Sequence, residues 1–399
     1  MSRAVWLDKI DDYNITELQN RIEHCFFDMD IKKLFKPKMK VLIKVCMPQS
    51  VSRDSAETTH PAVVSALINV LAQMGVKCIV ADSPYKKFTQ ENLDEVYLNT
   101  GMLEVANTTK CELNRNLKTA KFNIKDGIAT KSVTLLEEIK QVDAIINVGK
   151  VKVDNNLGYL GAVANIFGLI PGEKKTLVLN GLTTLNDFNN YLLDTMEVVK
   201  DKLVLNVLDG IVALEKDKTQ RMLYCLGVSE NAFYLDDALI DILGIDKTNT
   251  IIKTATDRGF IKPDSTYKTI NCKTNEFALS DFALPKVELN SSIHTNLKER
   301  NKFYKNNQSR PQIDSKKCKG CTICSKICPT KAIIMKYDKN GELFASIDYN
   351  KCIFCNKCIT ACPYSVAKLK TPTAYLELEK EINKFNQWRI KKGKQQKLH

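Results

Sequence analysis

The 399-residue sequence predicts an α/β layer domain, with a mostly parallel sheet and flanking helices, followed by a small α+β domain. Two observations lead to this fold class. Apolar, strand-like runs alternate with helical segments over about 220 residues, which is typical of a parallel sheet covered by helices. Eight of the fourteen cysteines then fall between residues 318 and 362, where they define a separate segment.

Residues 1–36 are expected to form a helical lead-in. Apolar side chains recur there at helical spacings of three and four residues, at Ile15, Leu18, Ile22 and Phe26. Pro37 ends this segment, and we expect the α/β domain over residues 37–284.

A strand–helix–strand unit opens the α/β domain. Val41–Met47 and Lys77–Ala81 are apolar runs of the kind found in buried strands. The helix between them has Pro61 in its first turn, and Thr58 or Thr59 is the expected N-cap. This order implies parallel pairing with a right-handed crossover.

Further elements continue the alternation. Buried strands are predicted at Val142–Val148 and Leu203–Leu208, and helices at Phe188–Lys200 and Leu235–Leu243. Leu157–Ile170 is apolar and rich in Gly and Ala, and therefore predicts a tightly packed helix.

Candidate catalytic residues lie where predicted strands end, because ligands of such sheets bind beyond the C-terminal strand ends. Asp82, Lys150 and Asp209 occupy these positions, and Lys152 is a candidate of the same kind. His60 opens a helix after a strand and is suited to acid–base chemistry or ligation. We expect a substrate near His60, Asp82 and Lys150, with structural ion pairs and caps as the alternative.

Standard nucleotide fingerprints are absent from the α/β domain. No G-x-G-x-x-G follows the first strand, and no P-loop is found, so a nicotinamide cofactor held in that way is disfavoured. Asn165 lies in an apolar segment, where its amide needs a partner. The sequence leaves open whether this domain binds a further, unidentified cofactor.

The cysteines between residues 318 and 362 form two copies of one pattern. Each run reads C-x2-C-x2-C-x3-C-P, the bacterial ferredoxin spacing for two 4Fe–4S clusters, in which the fourth cysteine of each run binds the other cluster. The predicted ligand sets are Cys318, Cys321, Cys324 and Cys362 for one cluster, and Cys352, Cys355, Cys358 and Cys328 for the other. Four thiolates per cluster leave no open iron, so the clusters are expected to carry electrons.

The boundaries of this ferredoxin domain are expected at residues 309 and 370. A linker precedes it over residues 285–308, and a terminal helix with a basic tail follows over residues 371–399. Inside the domain, Ala332–Lys336 and Leu343–Ile347 flank a turn sequence that predicts a hairpin.

The net charge of +13 is concentrated in the C-terminal quarter. Residues 309–370 contribute twelve basic and four acidic side chains, a balance of +8, whereas residues 1–308 contribute only +1. These lysines offset the cluster thiolates and favour an acidic electron carrier such as ferredoxin or flavodoxin. A solvated lysine-rich surface is the alternative, and nucleic acid is disfavoured because no recognition motif is found.

Cysteine usage without a secretory signal predicts a reducing cytoplasm and metal ligation rather than disulfides. No run of eighteen apolar residues exists, so no membrane span is expected. The six remaining cysteines are expected to pack as small apolar side chains.

Several stretches of the α/β domain resemble the family numbered 362 among the domains of unknown function. The segments that carry the resemblance are Lys44–Pro48, Thr58–Pro61, Ala81–Pro84, Ile145–Lys152, Gly161–Gly168 with Pro171–Gly172, Asp209–Val212 and Asp236–Asp237. Family members often carry a ferredoxin segment of this kind. The resemblance therefore implies an architecture and a redox setting, without naming a substrate.

The leading functional hypothesis is a ferredoxin-linked oxidoreductase. Its clusters would relay single electrons between an external carrier and an unknown small-molecule substrate or cofactor in the α/β domain. The first alternative is an electron-transfer or docking protein without catalysis of its own. Nucleic-acid binding through the basic C-terminus is the weaker alternative.

The ligand assignment makes a direct prediction for Cys321→Ser. Anaerobically purified wild-type protein should contain about eight irons and be brown. The variant should lose the spectrum of one cluster, because serine replaces a thiolate ligand. Iron content and electron paramagnetic resonance of the reduced protein measure this. A variant that keeps both spectra and full redox activity would remove Cys321 from the ligand set.

Overall fold

A computed structural model describes residues 2–85, 88–279, 281–291, 310–352 and 357–370. The described residues divide into two compact units. The α/β unit holds residues 2–176 and 183–291, and the C-terminal unit holds residues 177–182, 310–352 and 357–370. No helix within these ranges is long and apolar enough to cross a membrane.

The chain up to residue 291 alternates strands and helices. The strands are β1 (Ala4–Lys9), β2 (Lys40–Val45), β3 (Lys77–Ala81), β4 (Glu112–Leu113), β5 (Thr119–Asn123), β6 (Ser132–Leu136), β7 (Ala144–Asp154), β8 (Gly158–Leu160), β9 (Leu203–Leu214), β10 (Gln220–Ser229) and β11 (Lys268–Asn271). The helices are α1 (Ile15–Asp28), α2 (Pro61–Gln73), α3 (Gln90–Asn99), α4 (Met102–Thr109), α5 (Glu138–Gln141), α6 (Ala162–Asn165), α7 (Gly172–Gly181), α8 (Leu185–Val199), α9 (Ala232–Ile242) and α10 (Ile251–Asp257).

One nine-stranded sheet organises the α/β unit. Its strand order is β11-β1-β10-β9-β7-β2-β3-β4, and β8 pairs with β7 beside this path. Strands β9, β7, β2, β3 and β4 are parallel neighbours, whereas β10 is antiparallel to both β9 and β1. The predicted fold class, a mostly parallel sheet with flanking helices, is confirmed.

The two faces of the central strands bury different side chains. Alternate residues of β2, β7 and β9 belong to a large apolar core that also includes the buried faces of α1 and α2. Val41, Ile146 and Val207 are examples, each 0–1% exposed. Since successive strand residues point to opposite faces, their neighbours Lys44, Asn147 and Asn206 lie on the other face.

A polar row crosses the sheet on that second face. Lys44 pairs in register with Asn147, and Asn147 pairs with Asn206. All three side chains are fully buried. Buried polar groups require hydrogen-bond partners, so the elements that pack on this face must provide partners for the row.

The C-terminal unit consists of short elements. They are β12 (Arg310–Ile313), α11 (Ile323–Ile327), β13 (Ile333–Tyr337), β14 (Leu343–Ile347), α12 (Lys357–Thr360) and β15 (Ala367–Lys370). Strands β13 and β14 pair antiparallel, which confirms the predicted hairpin, and β12 pairs antiparallel with β15. Most of the predicted linker, and all of the predicted terminal helix and tail, lie outside the described residues.

The predicted helical lead-in over residues 1–36 is wrong at its start. Ala4–Lys9 forms β1, which lies inside the sheet between β10 and β11. Helix α1 begins only at Ile15, where the helical spacing of apolar residues also begins. A short apolar run does not distinguish a strand from a helix by periodicity, and its partner strands follow more than 200 residues later.

Further elements differ from the predictions. Strands β7 and β9 continue through Lys150 and Asp209, so these residues lie within strands and not beyond their ends. Strand β10, which pairs with β9, is absent from the prediction. In place of one helix over residues 157–170, the chain forms β8, the single turn α6 and a 3-10 turn at Ile166–Leu169.

The position of β1 predicts that Trp6 is a main stabiliser of the α/β unit. Trp6 is 1% exposed, and its Nε1 donates a hydrogen bond to Asp28 Oδ2 at 3.1 Å. Trp6→Ala should lower the free energy of unfolding by about 3–5 kcal/mol, the usual cost of truncating a buried Trp. Urea denaturation followed by far-ultraviolet circular dichroism measures it. The control Leu98→Ala removes a side chain that is 61% exposed and should change stability by less than about 0.5 kcal/mol. Equal effects of the two substitutions would contradict the placement of β1.

Candidate functional site

A buried ion pair joins β7 to β9. Lys150 Nζ lies 2.9 Å from Asp209 Oδ2, and both side chains are at most 1% exposed. Tyr13, just before α1, accepts a hydrogen bond from Lys150 Nζ at 2.9 Å and donates one to Asp209 Oδ1 at 2.9 Å. Burial lowers the pKa of Lys150, and the adjacent Asp209 carboxylate acts in the opposite direction. Each charged group therefore has its partner, as buried charges require.

His60 joins this cluster through its backbone and its ring. Its backbone N–H donates to Asp209 Oδ2 at 3.0 Å, and its ring stacks on Tyr13 with centroids 3.6 Å apart. Its Nδ1 accepts the N–H of Ala62 at 3.2 Å, so His60 is the N-cap of α2. The predicted cap at Thr58 or Thr59 is wrong, because an imidazole nitrogen takes the role usually given to a hydroxyl.

The His60 cap is compatible only with a neutral imidazole. Protonation of Nδ1 would turn this acceptor into a donor and place a cation at the positive end of a helix. Burial lowers the pKa of His60 to about 4, while Asp209 raises it and Lys150 lowers it.

A second buried ion pair lies on the opposite face of the sheet. Lys44 Nζ lies 3.1 Å from Asp82 Oδ1, with side chains 0% and 3% exposed. Asp82 also accepts the backbone N–H groups of Met47 and Ser83. Asp82 follows β3 directly, as predicted. Its contact with the Met47 N–H places the carboxylate at the C-terminal end of β2.

Asn165 connects this ion pair to the polar row of the sheet. Its Oδ1 accepts from Lys44 Nζ at 3.1 Å, and its Nδ2 donates to Asn147 Oδ1 at 2.8 Å. Asn147 in turn donates to Asn206 Oδ1 at 3.0 Å. The predicted need of Asn165 for a hydrogen-bond partner is thus met by a network that runs across three strands.

A pocket of about 70 Å3, called here the strand-edge pocket, opens at this end of the sheet. Its polar lining consists of Cys46, Asp82, Tyr85, Lys150, Lys152, Asn165 and Lys175, and its apolar lining includes Leu157, Leu160, Ala164, Phe167 and Phe188. Of the three candidates that we predicted to share a site, Asp82 and Lys150 line this pocket. His60 does not line it, and contacts Lys150 through Asp209.

Two lysines of the strand-edge pocket have no carboxylate within ion-pair distance among the described residues. Lys152 Nζ lies 3.2 Å from Cys46 Sγ and donates to Glu57 O at 3.0 Å. Lys175, on α7, is 2% exposed, donates to Ser83 O and lies over the Tyr85 ring, 5.2 Å from its centroid. Burial lowers the pKa of Lys175 to about 8, against the raising effect of Asp82.

Sequence reasoning did not select Lys44, Lys175 or Cys46 as site residues. A lysine within the apolar run of β2 was an available signal for Lys44, since an unpaired charge is rarely buried. Nothing in the local pattern around Lys175 distinguishes it from the exposed Lys174 beside it. Cys46 is buried, as expected for the scattered cysteines, but it borders the pocket and an ammonium group.

Two glycines allow the pocket wall to approach the charged groups. A Cβ at Gly168 would collide with Asp82 Oδ1 and Lys44 Nζ, and a Cβ at Gly161 would collide with Asp236 Oδ1. The Asp236 carboxylate accepts the N–H groups of Ala162 and Val163 at 2.6 and 2.9 Å. These contacts explain why the glycine-rich segment turns around the polar groups instead of forming one continuous helix.

The C-terminal unit gathers cysteines of both runs. Cys318, Cys321, Cys324 and Cys362 line one cavity, which is the arrangement that the first predicted ligand set requires. Burial raises the pKa of Cys362, but backbone N–H groups of residues 364 to 367 together outweigh this and hold the pKa below its usual value. The Ala345 N–H donates to Cys318 Sγ at 3.4 Å. Such N–H groups stabilise the sulfurs of an iron–sulfur cluster, so the residues fit the group.

The second predicted set is described in part. Cys352 is 8% exposed and packs beside Cys328, whose Sγ accepts the N–H of Ala332 at 3.2 Å. Cys358 is buried, and Cys355 lies outside the described residues. Within the described ranges, no three His, Cys, Asp or Glu side chains are close enough to hold a single metal ion. A four-iron cube holds its thiolates farther apart than a single ion does.

The sheet with its charged strand edge and the paired cysteine runs define an iron–sulfur protein built on an α/β layer fold. The chain belongs to the family described as "Domain of unknown function (DUF362)", whose family model matches residues 41–241. A second family model, described as "4Fe-4S dicluster domain", matches residues 299–366. The predicted family membership and the iron–sulfur character of the C-terminal segment are confirmed.

A curated relative and a solved structure are among the proteins to which this chain is similar. A thylakoid-associated protein of Synechocystis sp. is 25% identical over 258 residues, which cover 63% of this chain and 78% of that protein. The lactate racemase apoprotein of Thermoanaerobacterium thermosaccharolyticum aligns with a TM-score of 0.33 at 11% identity. That alignment covers 55% of this chain and 53% of the racemase chain.

The geometry around His60 predicts an acid-sensitive step in the stability of the α/β unit. Because its pKa falls from about 6.5 to about 4 on folding, the unfolded chain binds the proton first. The stabilisation is present above pH 6.5 and is lost as pH falls towards 4, by up to about 3 kcal/mol.

The test compares His60→Asn, which keeps a capping side chain but does not titrate, with wild type. As pH drops from about 6.5 to about 4, the unfolding free energy of wild type, measured by urea denaturation, should fall relative to that of the variant by up to about 3 kcal/mol. The matched control is His24→Asn, at an exposed position on α1. The same pH profile in wild type and His60→Asn would contradict the account.

Proposed function

We propose that the protein is a ferredoxin-linked oxidoreductase whose two 4Fe–4S clusters exchange single electrons with a substrate or cofactor in the strand-edge pocket. The observation that carries this proposal is the pocket itself. Lys150, Lys152, Lys175, Asp82 and the Cys46 thiol converge on about 70 Å3 at one sheet edge, in a chain that also carries a dicluster domain.

The lysines of the pocket suit a site that receives electrons. Each electron that reaches a bound molecule adds one negative charge, and fixed ammonium groups close to that charge stabilise it. Lys175, with a pKa of about 8, is also a proton donor matched to neutral pH. If the bound molecule is instead oxidised, its electrons pass to the clusters and Lys175, in its neutral form, accepts the proton.

The cluster ligands in this proposal are the eight cysteines of the two runs. Full thiolate ligation supplies electron transfer without an open coordination site on iron. The partner in the proposal is an acidic carrier such as ferredoxin or flavodoxin. All eleven lysines between residues 310 and 370 are exposed, and such a surface favours encounter with a negatively charged partner.

A second candidate is an electron-transfer or docking protein without catalysis. It is favoured because the two buried ion pairs are already complete: Lys44 pairs with Asp82, and Lys150 pairs with Asp209. Paired, buried charges of this kind also occur as purely structural links between strands. Lys152 and Lys175, which have no carboxylate partner in the described part of the chain, favour the catalytic function.

Lys175→Met tests the proposed function. This variant leaves no carboxylate without its ion-pair partner, because Lys175 forms no ion pair among the described residues. Reduced, anaerobic holoprotein is mixed with low-molecular-weight fractions of the producing cells, and cluster re-oxidation is followed by absorbance. We expect that one fraction re-oxidises the clusters of the wild-type protein. The same fraction should re-oxidise the clusters of Lys175→Met at least about tenfold more slowly, because one charge-assisted hydrogen bond is lost.

The matched control is Lys174→Met, which removes the same charge from the exposed neighbouring position. It should behave as wild type, and all three proteins should exchange electrons with flavodoxin at the same rate. If no fraction re-oxidises the wild-type clusters while flavodoxin still does, the docking function is correct and the oxidoreductase is excluded.

A further inference from the structure

The strand-edge pocket contains more positive than negative charge. Lys44 with Asp82 and Lys150 with Asp209 form neutral pairs at 3.1 and 2.9 Å. Lys152 and Lys175 have no carboxylate at ion-pair distance among the described residues, so a surplus of about two positive charges faces the pocket.

Burial makes this surplus costly for the folded protein. An ammonium group that leaves water loses its solvation and regains stability only from a counter-charge or hydrogen bonds. Lys175 is 2% exposed, and a backbone carbonyl and an aromatic ring are its described partners. A ligand that brings negative charge would complete the coordination of both lysines.

The remaining walls limit the size and polarity of such a ligand. Leu157, Leu160, Ala164, Phe167 and Phe188 also line the pocket. The volume of about 70 Å3 favours a small ligand. The combination selects a charged head on a small apolar body.

We propose that the strand-edge pocket binds a small organic oxyanion, whose carboxylate or phosphate head lies between Lys152 and Lys175 and whose short body contacts the apolar wall. This inference rests on the proposed function in one respect, because it identifies the anion with the class of substrate that exchanges electrons. The binding step itself requires no electron transfer.

The proposal predicts that affinity depends on pH. The anion binds to protonated Lys175, so affinity is greatest below a pH of about 8 and falls as pH rises through that value. Among the described residues, the titratable or charged groups around Lys175 include Asp82, Lys44, Cys46, Lys152 and Tyr85. Asp82 and Lys44 neutralise each other, so Lys175 is the group expected to set this profile.

Isothermal titration calorimetry of the oxidised, anaerobic holoprotein tests the binding. Propionate represents the carboxylates, and inorganic phosphate represents the phosphates. We expect saturable binding of one of them, weakened at least about tenfold in Lys152→Met and in Lys175→Met, because each removes one charge-assisted hydrogen bond. Lys174→Met is the matched control and should bind as wild type does.

A second measurement on wild type guards against variants that fail to fold. Reductive methylation followed by peptide mass spectrometry should show that the bound anion protects Lys152, which is only half-buried, whereas Lys174 is modified equally in its presence and absence. Absence of binding by both probes at millimolar concentration, or unchanged affinity in both variants, would overturn the inference.

The two proposals fail separately. If the anion binds with an affinity that depends on both lysines but no small molecule re-oxidises the clusters, the oxidoreductase proposal is wrong and the anion site is supported. If re-oxidation occurs and depends on Lys175 while anion affinity does not depend on either lysine, the oxidoreductase stands and the anion site falls.

Discussion

The burial of charged side chains at one edge of the sheet is the constraint on which the rest of the α/β unit depends. Lys44 and Asp209 are fully buried, and each is stable there only because an opposite charge and further hydrogen bonds meet it. Asp82 and Lys150 provide the charges. Tyr13 before α1 and the His60 N–H before α2 donate to Asp209, and Asn165 of α6 accepts from Lys44. The positions of these loops therefore follow from the need to satisfy the strand-edge charges.

The glycines at this edge serve the same constraint. Gly168 has no room for a side chain against the Lys44–Asp82 pair, and Gly161 has none against Asp236. Burial raises the pKa of Asp236 to about 7, against three hydrogen bonds that lower it. Backbone-to-carboxylate contacts thus hold the wall of the strand-edge pocket. Among the described residues, no carboxylate balances the charges of Lys152 and Lys175.

Sequence reasoning predicted features that local chemistry determines. The cysteine repeat, the strand–helix–strand unit around α2 and the β13–β14 hairpin depend on spacing and turn residues within about 45 positions. Features set by distant partners were not predicted. Strand β1 is defined by β10 and β11, and Lys175 becomes a pocket residue only because α7 places it beside Ser83 and Tyr85. His60 was selected from its position after a strand, but its observed contacts are those of a helix cap.

In this account, the strand-edge pocket binds an oxyanion through the positive charges of Lys152 and Lys175. The most direct measurement is anomalous diffraction from crystals of the anaerobic holoprotein soaked in selenate, an oxyanion with a strong anomalous signal. We predict a selenium peak in the pocket with its oxygens within hydrogen-bond distance of the ammonium groups of Lys152 and Lys175. Selenium peaks confined to the outer surface, with both lysines turned out of the pocket or paired with carboxylates of the chain, would contradict the account.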